Sequence, residues 1–310
     1  MNRTTLGKTG LEVTVLGYGA AEIGYLHTDR HQVEKLLNAV LDQGINLIDV
    51  AASYPGSEEA IGQILSNRRG EYVLVSKCGQ KIPEVKAPAW TPHVITATVD
   101  RSLKLLKTDH LDVMLLHSCD LATLQQGDAL SALVNAKEAG KIRWVGYSGD
   151  NEAAAWAAAQ PEIAVVETSI NICDQVNIDQ VLPIARQNQV GVLAKRSLAN
   201  AAWREPAQQP GFYASYASVY HERLKQMRIL PEDLGFGGNV AEAWPEIALR
   251  FTLSQPGVSS VIIGSTRMEN IQRNIEAAAK GPLPAEAVRT VREAFKQAEQ
   301  ASGKSWEGQT

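Results

Sequence analysis

The chain contains few cysteines and no long apolar run. Only Cys78, Cys119 and Cys173 occur in 310 residues, and their spacing matches neither a disulfide framework nor the paired ligands of a zinc site. No uncharged apolar stretch reaches the roughly 18 residues that a membrane-spanning helix needs, and the N-terminus lacks the apolar core of a signal peptide. These absences predict a cytoplasmic protein without a membrane partner.

An excess of positive charge is also missing. The chain has 30 Lys and Arg against 34 Asp and Glu, a net charge of −4, and no basic stripe is interleaved with aromatic residues. The balance therefore predicts no nucleic-acid partner. With 45% hydrophobic and 21% charged residues, the composition is that of a globular protein with an ample core.

What is present is an eightfold alternation of strand-like and helix-like segments. Two short strand-like runs, 3–6 and 12–15, surround a glycine-bearing turn at 7–10 and predict an N-terminal β-hairpin. Further strand-like runs lie near 16–20, 45–49, 72–76, 111–116, 142–147, 163–168, 190–194 and 259–263. Helical patterns lie near 29–43, 57–66, 91–107, 125–139, 150–159, 178–188, 240–254 and 268–279. This alternation predicts an α/β fold, a (β/α)8 TIM barrel.

Residues 196–239 break the alternation. The segment carries a predicted helix at 213–228 and a glycine-rich run at 235–238, and it predicts an extended loop after strand seven that forms a lid or pocket wall. Its aromatic residues are candidates for either substrate contacts or loop anchors, as is the earlier Trp90; they are Trp203, Phe212, Tyr213, Tyr216 and Tyr220. The tail predicts a C-terminal helix at 284–302. No linker divides the chain, which predicts one domain over residues 1–310.

Four residues stand at or just after the ends of predicted strands: Asp49, Tyr54, Lys77 and His117. The carboxyl ends of parallel strands meet at one rim, so we expect these side chains to converge. The ordinary phenol pKa is about 10, and a Lys77 ammonium held charged by Asp49 would lower it, while His117 would orient a substrate oxygen. Each residue alone is more typical of a cap, an ion pair or packing, but the four in order predict a proton relay to a carbonyl oxygen.

A hydride must accompany that proton, yet the chain has no Rossmann fingerprint. Gly17 and Gly19 lie in the first barrel strand and Gly24 follows it, but this third glycine is two positions late and the next helix begins only near Asp29. The glycines are interpreted as letting the strand turn beneath a cofactor. The run at 235–238 lacks the Lys-Ser/Thr of a phosphate loop.

The segments Ile48-Asp49-Val50-Ala51-Ala52-Ser53-Tyr54, Val75-Ser76-Lys77 and Leu115-Leu116-His117 resemble the aldo-keto reductase family, and the resemblance runs over nearly the whole chain. It implies a barrel enzyme in which Asp49, Tyr54, Lys77 and His117 form the catalytic tetrad, with Tyr54 as general acid. It further implies an NADP-dependent oxidoreductase that reduces an aldehyde or ketone, because relatives that reduce conjugated double bonds carry glutamate in place of the histidine.

The resemblance also implies NADP(H) as cofactor, with NAD(H) as second choice, and no metal. The positions that match cofactor contacts are Gly19, Ala20, Asp49, Ser148, Glu167, Lys195, Arg196, Leu198, Gly264, Ser265, Arg267, Arg273 and Asn274. Arg267 and Arg273 are candidates for the adenosine 2′-phosphate, since a guanidinium matches phosphate in bidentate fashion. The alternative is that both are ordinary surface arginines.

The chain departs from the family pattern in three places. Gly149 stands where many members have asparagine, and Glu167 where most have glutamine. Lys195-Arg196 replaces a segment that contains an aromatic residue; the two cations are candidates for gripping the pyrophosphate, and Leu198 for replacing the lost ring. An ionised Glu167 beside the nicotinamide would favour NADP+, unless Glu167 pairs with a neighbouring cation instead.

Two alternatives to an enzyme stay open at the level of function. Barrels that resemble this family also serve as cofactor-sensing subunits of potassium channels with little turnover, and a structural protein is the other alternative, since a fold alone does not fix function. The intact tetrad favours an enzyme with a small carbonyl or alcohol substrate. The oligomeric state, monomer or homo-oligomer, is undetermined.

His27 and His31 have the spacing of a two-histidine metal site, but no third ligand is evident and both are interpreted as surface residues.

Overall fold

A closed barrel of eight parallel strands forms the centre of the fold, in the order β10-β3-β4-β5-β6-β7-β8-β9. The computed structural model describes residues 1–26, 28–205, 207 and 214–309. The strands in these residues are β1 (Arg3–Thr5), β2 (Glu12–Thr14), β3 (Leu16–Gly19), β4 (Leu47–Asp49), β5 (Val73–Cys78), β6 (Leu111–His117), β7 (Ile142–Ser148), β8 (Ile163–Ser169), β9 (Gly191–Lys195) and β10 (Ser260–Ile263).

Helices lie between successive barrel strands. The helices of the described residues are α1 (Ala21–Tyr25), α2 (Arg30–Asp42), α3 (Ser57–Leu65), α4 (Pro92–Leu106), α5 (Leu121–Gln126), α6 (Asp128–Glu138), α7 (Asn151–Ala158), α8 (Val176–Gln180), α9 (Leu182–Gln187), α10 (Ala214–Met227), α11 (Val240–Leu253), α12 (Met268–Ala279) and α13 (Ala285–Ser302). The predicted (β/α)8 barrel with an N-terminal hairpin is therefore confirmed. None of the described helices is both long and apolar enough to cross a lipid bilayer.

The N-terminal hairpin closes one end of the barrel. β1 and β2 pair antiparallel, and Leu6 and Val13 from this hairpin join the apolar cluster inside the barrel. Gly7 adopts a left-handed φ of 52° beside the backbone of Gly191, where a side chain would clash. Because the hairpin occupies this end, the opposite rim, formed by the carboxyl ends of the strands, is left for a site.

A second apolar cluster lies beside the barrel and packs the segment that follows β9 against the C-terminal helix. It includes Tyr220 of α10, Trp244 and Phe251 of α11, and Phe295 of α13. Trp203 stacks on Trp244 with ring centroids 6.5 Å apart, so this tryptophan anchors the segment. Two other aromatic residues proposed as pocket walls, Phe212 and Tyr213, lie outside the described residues, as does the start of the predicted helix at 213–228.

Candidate active site

The pairing register of the strands places the predicted catalytic residues close to one another at one rim of the barrel. In β4, Asp49 pairs with Val75 of β5, and in β5, Lys77 pairs with Leu115 of β6. His117, the last residue of β6, is level with Ser148 of β7, which is level with Glu167 of β8. The carboxyl ends of these strands therefore bring acid, base and hydroxyl groups to the same level of the barrel.

Tyr54 reaches this rim from the turn between β4 and α3. Its amide donates to the Ala51 carbonyl at 3.0 Å, and its carbonyl accepts from the Ser57 amide at 3.3 Å. Gly56, with a φ of 69°, lets the chain enter α3 at Ser57. A short turn with a left-handed glycine thus fixes the tyrosine backbone above the end of β4.

Lys77 lies between two carboxylates inside the barrel. Its Nζ is 2.5 Å from Asp49 Oδ1, 3.1 Å from the Val50 carbonyl and 3.3 Å from Glu167 Oε2. Burial alone would lower the pKa of Lys77, but the charges of Asp49 and Glu167 outweigh it and raise that pKa above its ordinary value. The lysine is therefore an ammonium at neutral pH.

Tyr54 and His117 cover this ammonium. Lys77 Nζ lies 5.4 Å from the Tyr54 ring centroid, and the Tyr54 and His117 rings meet edge to face at 6.0 Å. Burial raises the pKa of Tyr54 above its ordinary value, and Lys77 opposes this only in part. The expectation of a lowered phenol pKa is therefore wrong in net direction, although the contribution of Lys77 has the predicted sign.

His117 is neutral in this setting. Burial, and then the positive charge of Lys77, holds the pKa of His117 well below its usual range. Its Nδ1 lies 3.4 Å from Ser53 Oγ, whose hydroxyl can serve that nitrogen as donor or acceptor. A neutral imidazole at the rim can donate one hydrogen bond to an oxygen without adding a charge.

Glu167 is a carboxylate at the position where the family pattern has the side-chain amide of glutamine. Its Oε1 accepts from Ser148 Oγ at 3.4 Å, whereas Oε2 is buried and has no hydrogen-bond donor among the described residues. The 3.3 Å approach to Lys77 is thus an ion pair without hydrogen-bond geometry. Glu167 therefore lies beside a cation, and its charge acts on the pKa of both Lys77 and Asp49.

Gly149 has a steric reason for lacking a side chain. The Tyr147 hydroxyl donates to the Cys119 carbonyl at 2.7 Å, and a Cβ on Gly149 would lie far inside contact distance of that hydroxyl. Asparagine could not occupy position 149 while Tyr147 keeps this hydrogen bond. The family departure is therefore a consequence of the neighbouring tyrosine.

Lys195 and Arg196 have protein partners already. Lys195 Nζ lies 3.0 Å from Asp150 Oδ2. Arg196 stacks over the Tyr216 ring at 3.8 Å and donates to Ser169 Oγ at 3.2 Å and to the carbonyl of Gln309. An anion that approached these two cations would therefore meet groups whose charge is partly balanced.

The backbone after Arg196 is strained. Arg196, Ala199, Asn200 and Ala201 all have left-handed φ values between 46° and 56°, which cost non-glycine residues roughly 1–2 kcal/mol each. The buried nitrogens Asn200 Nδ2 and Trp203 Nε1 have no hydrogen-bond partner among the described residues. Leu198, at the start of this turn, is partly buried against the barrel core.

The remaining predicted cofactor residues lie at the carboxyl ends of β3 and β10. The Ala20 amide donates to the Asp49 carbonyl at 2.8 Å, and Gly19 runs beside Gly264. Gly19 is buried, with Ile262 where a side chain would lie, and Gly264 is partly exposed.

Helix α12 begins shortly after Gly264. Ser265 Oγ accepts from the Arg267 amide and from Asn270 Nδ2, both at 3.1 Å, which fixes the entry into the helix. The Arg267 side chain is 72% exposed, Arg273 is also exposed on α12, and Asn274 is buried.

Two buried aspartates escaped the sequence prediction. Asp150 follows the end of β7 by two residues, so the strand-end rule could have found it; besides Lys195 it binds Thr168, Ser169 and Asn177. Asp174 accepts from the Tyr220 hydroxyl at 2.8 Å and the Gln309 amide at 3.0 Å. No local pattern marks Asp174, because both partners come from distant segments.

The two-histidine spacing gains no support as a metal site. His27 lies outside the described residues, and His31 on α2 is 4.0 Å from Glu34 at the surface. Within the described ranges, no group of three histidine, cysteine or acidic side chains could hold a metal ion.

Comparisons with known proteins give the fold and site a family. The model of the aldo/keto reductase family matches residues 15–296. The chain is 26% identical over 309 residues to an uncharacterized oxidoreductase, YqkF, of Bacillus subtilis, covering 96% of this chain and 97% of that protein. It is 24% identical over 294 residues to the L-galactose dehydrogenase of Arabidopsis thaliana, covering 88% and 86% of the two chains.

A solved structure shares the fold. The holo form of an aldo-keto reductase from Bacillus halodurans superposes with a TM-score of 0.80 at 24% identity, covering 95% of this chain and 96% of that one. The likeness concerns the barrel, while the family match extends to the sequence of most of the chain. This chain belongs to the aldo/keto reductase family and is similar to oxidoreductases within it.

Proposed function

We propose that this protein reduces an aldehyde or ketone to the alcohol, taking a hydride from NADPH and a proton from Tyr54. The main support is the Lys77 ammonium, which is buried 2.5 Å from Asp49 and 5.4 Å from the Tyr54 ring centroid. A fixed cation at that place stabilises the phenolate that remains once Tyr54 has donated its proton. In this proposal, Asp49, Tyr54, Lys77 and His117 are the catalytic residues.

Tyr54 suits the role of acid rather than base. Since burial raises its pKa, the phenol keeps its proton until negative charge develops on a substrate oxygen. General acid catalysis of this kind contributes about 100-fold to 10,000-fold in rate. Neutral His117, 6.0 Å from the Tyr54 ring between centroids, orients the same oxygen by donating a hydrogen bond.

The polar groups at the rim fit a nicotinamide cofactor, which supplies the hydride when bound. Glu167 Oε2 is a buried acceptor without a donor, and the adjacent Ser148 is a hydroxyl, so together they suit an amide. Exposed Arg267 and Arg273 suit a phosphate, which favours NADP(H) over NAD(H). The other proposed contacts are Gly19, Ala20, Asp49, Lys195, Arg196, Leu198, Gly264, Ser265 and Asn274.

The proposed substrate is a small carbonyl compound that enters at this rim. We propose residues 1–310 as one catalytic domain, in which 196–239 forms a wall of the pocket. The stacking of Arg196 on Tyr216 and the anchoring of Trp203 on Trp244 hold the described part of that wall against the barrel.

NADPH oxidation with a panel of aldehydes and ketones tests this function, comparing the wild type with Tyr54→Phe. We expect turnover with at least one carbonyl and a loss of about 100-fold or more in kcat for the variant. Tyr72→Phe is the matched control, because the buried Tyr72 hydroxyl has no partner among the described residues. Silence across the panel despite tight NADPH binding would instead favour a cofactor-sensing subunit.

A further inference from the structure

Three ionisable side chains meet at a buried place in the barrel. Lys77 is 0% exposed, Asp49 5% and Glu167 4%, counted over their side chains. Since β5 and β8 are not neighbours in the barrel, the contact between Lys77 and Glu167 crosses its interior. Lys77 therefore contacts a carboxylate from β4 and a carboxylate from β8, and the two carboxylates lie close enough to interact with each other.

The charges of this cluster do not balance if both acids are ionised. Two carboxylates and one ammonium leave one uncompensated negative charge, which costs several kcal/mol in a buried site. Burial and the charge of Glu167 raise the pKa of Asp49 well above its ordinary value, although Lys77 opposes this. One proton on the two acids makes the cluster neutral, as in other buried carboxylate pairs.

We propose that Asp49 and Glu167 share one proton beside Lys77, and that this stored proton restores the Tyr54 phenol during turnover. The second half of the proposal rests on the reductase function proposed above. Glu167, proposed above as a contact of the cofactor, then also acts on Tyr54 through Lys77.

One proton moves along the cluster in each turnover. Tyr54 gives its proton to the carbonyl oxygen and becomes a phenolate. The phenolate takes a proton from Lys77 Nζ, and the resulting amine takes the proton that Asp49 and Glu167 share. The cluster is left with two carboxylates and one ammonium, and it regains a proton from water when the product leaves.

Other titratable groups around the cluster do not cancel its charge. Tyr54 and Tyr25 face it from the rim and are neutral phenols, since burial raises the pKa of both. His117 of β6 is neutral because burial and nearby cations lower its pKa. The next cation, Lys195 of β9, is paired at 3.0 Å with Asp150.

The net charge of the ligand-free protein at neutral pH, measured by electrophoresis, tests the shared proton. In Glu167→Gln, Asp49 should release that proton, so the net charge should not change. Glu34→Gln removes a carboxylate that is 59% exposed and should raise the net charge by about one. An equal rise in both variants would show that Asp49 and Glu167 are both ionised and would overturn the proposal.

The same charge measurement on Asp49→Asn tests the second carboxylate of the cluster. This variant should also leave the net charge unchanged, and the double variant Asp49→Asn/Glu167→Gln should raise it by about one. Circular dichroism checks that each variant is folded. If Glu167→Gln does not fold, the result for Asp49→Asn decides.

The pH profile of carbonyl reduction tests the return of the proton to Tyr54. Glu167→Gln lacks the stored proton, so as the pH rises its kcat should begin to fall at least about one pH unit below the pH at which the wild-type kcat falls. KM for the carbonyl should change little. Identical profiles would overturn this role. Absence of turnover in the wild type would contradict the proposed function, whereas the charge measurement needs no turnover.

Discussion

Lys77 Nζ lies 2.5 Å from Asp49 Oδ1, and the barrel leaves the lysine side chain no exposed surface. A buried cation fixed in this way cannot reorganise when charge develops nearby, and that pre-organisation makes it effective in catalysis. The pair also anchors a group from β5 to the end of β4. The same contact therefore serves the proposed chemistry and the joining of two strands.

Replacing this cation should remove most of the reductase activity. In Lys77→Met, the Tyr54 phenolate loses the charge that stabilises it, and we expect kcat to fall by about 100-fold or more. Steady-state NADPH oxidation measures the loss. Lys104→Met, at an exposed position of α4, should keep kcat within about twofold. A Lys77→Met enzyme within a few-fold of wild type would contradict the proposed role.

The space beside Gly149 gives a prediction about stability. A methyl group at this position would overlap the Tyr147 side chain, so Gly149→Ala should lower the free energy of unfolding by about 1–3 kcal/mol. Urea denaturation measures the change. Gly70→Ala, where no atom lies near the added methyl group, should change stability by less than about 0.5 kcal/mol. Equal stability of the two variants would show that Tyr147 moves aside freely.

The barrel and its rim could be predicted because their signals are local. Asp49 and His117 each end an apolar run, and Lys77 comes next to last in its strand. Parallel strands have only one end at which such residues can meet. The chemistry of Asp49, Lys77 and Tyr54 then follows from charge and proximity.

What could not be predicted depends on closure of the barrel and on contacts between distant segments. The Lys77 contact with Glu167 crosses the barrel interior, and Arg196 binds the carbonyl of Gln309, 113 residues away. The raised pKa of Tyr54 depends on how deeply packing buries it. The periodic pattern of apolar residues along the sequence does not encode these long-range contacts or the depth of burial of Tyr54.

The backbone conformation of the left-handed turn at Ala199–Ala201 could not be predicted from the sequence either. Alanine gives no sequence signal for a positive φ, whereas glycine would have. Ala201→Gly should raise the free energy of unfolding by about 1 kcal/mol, because it removes the steric cost of a φ of 52°. The opposite sign is expected for Ala155→Gly inside α7, where glycine costs about 1 kcal/mol. Thermal unfolding of both variants checks the pair of signs, and destabilisation by Ala201→Gly would argue against strain here.

Asp174 should make stability depend on pH. Burial, and then the charge of Asp150, raises the pKa of Asp174 to about 7, although Tyr220, Arg223 and the Gln309 amide oppose the shift. The ordinary value is about 3.9, so the folded protein binds this proton more tightly than the unfolded chain. Its stabilising contribution is complete below about pH 4 and is lost as the pH rises through about 7.

Asp174→Asn removes this titration while keeping an acceptor for Tyr220. The free energy of unfolding of the variant minus that of the wild type should therefore become more positive between pH 5 and pH 8, by about 1–3 kcal/mol. Urea denaturation at the two pH values measures the difference. Asp128→Asn, at an exposed position, is measured at the same two pH values as the control for the Asp-to-Asn change itself. A constant difference for Asp174→Asn would mean that Asp174 is already ionised at pH 5 in the folded protein.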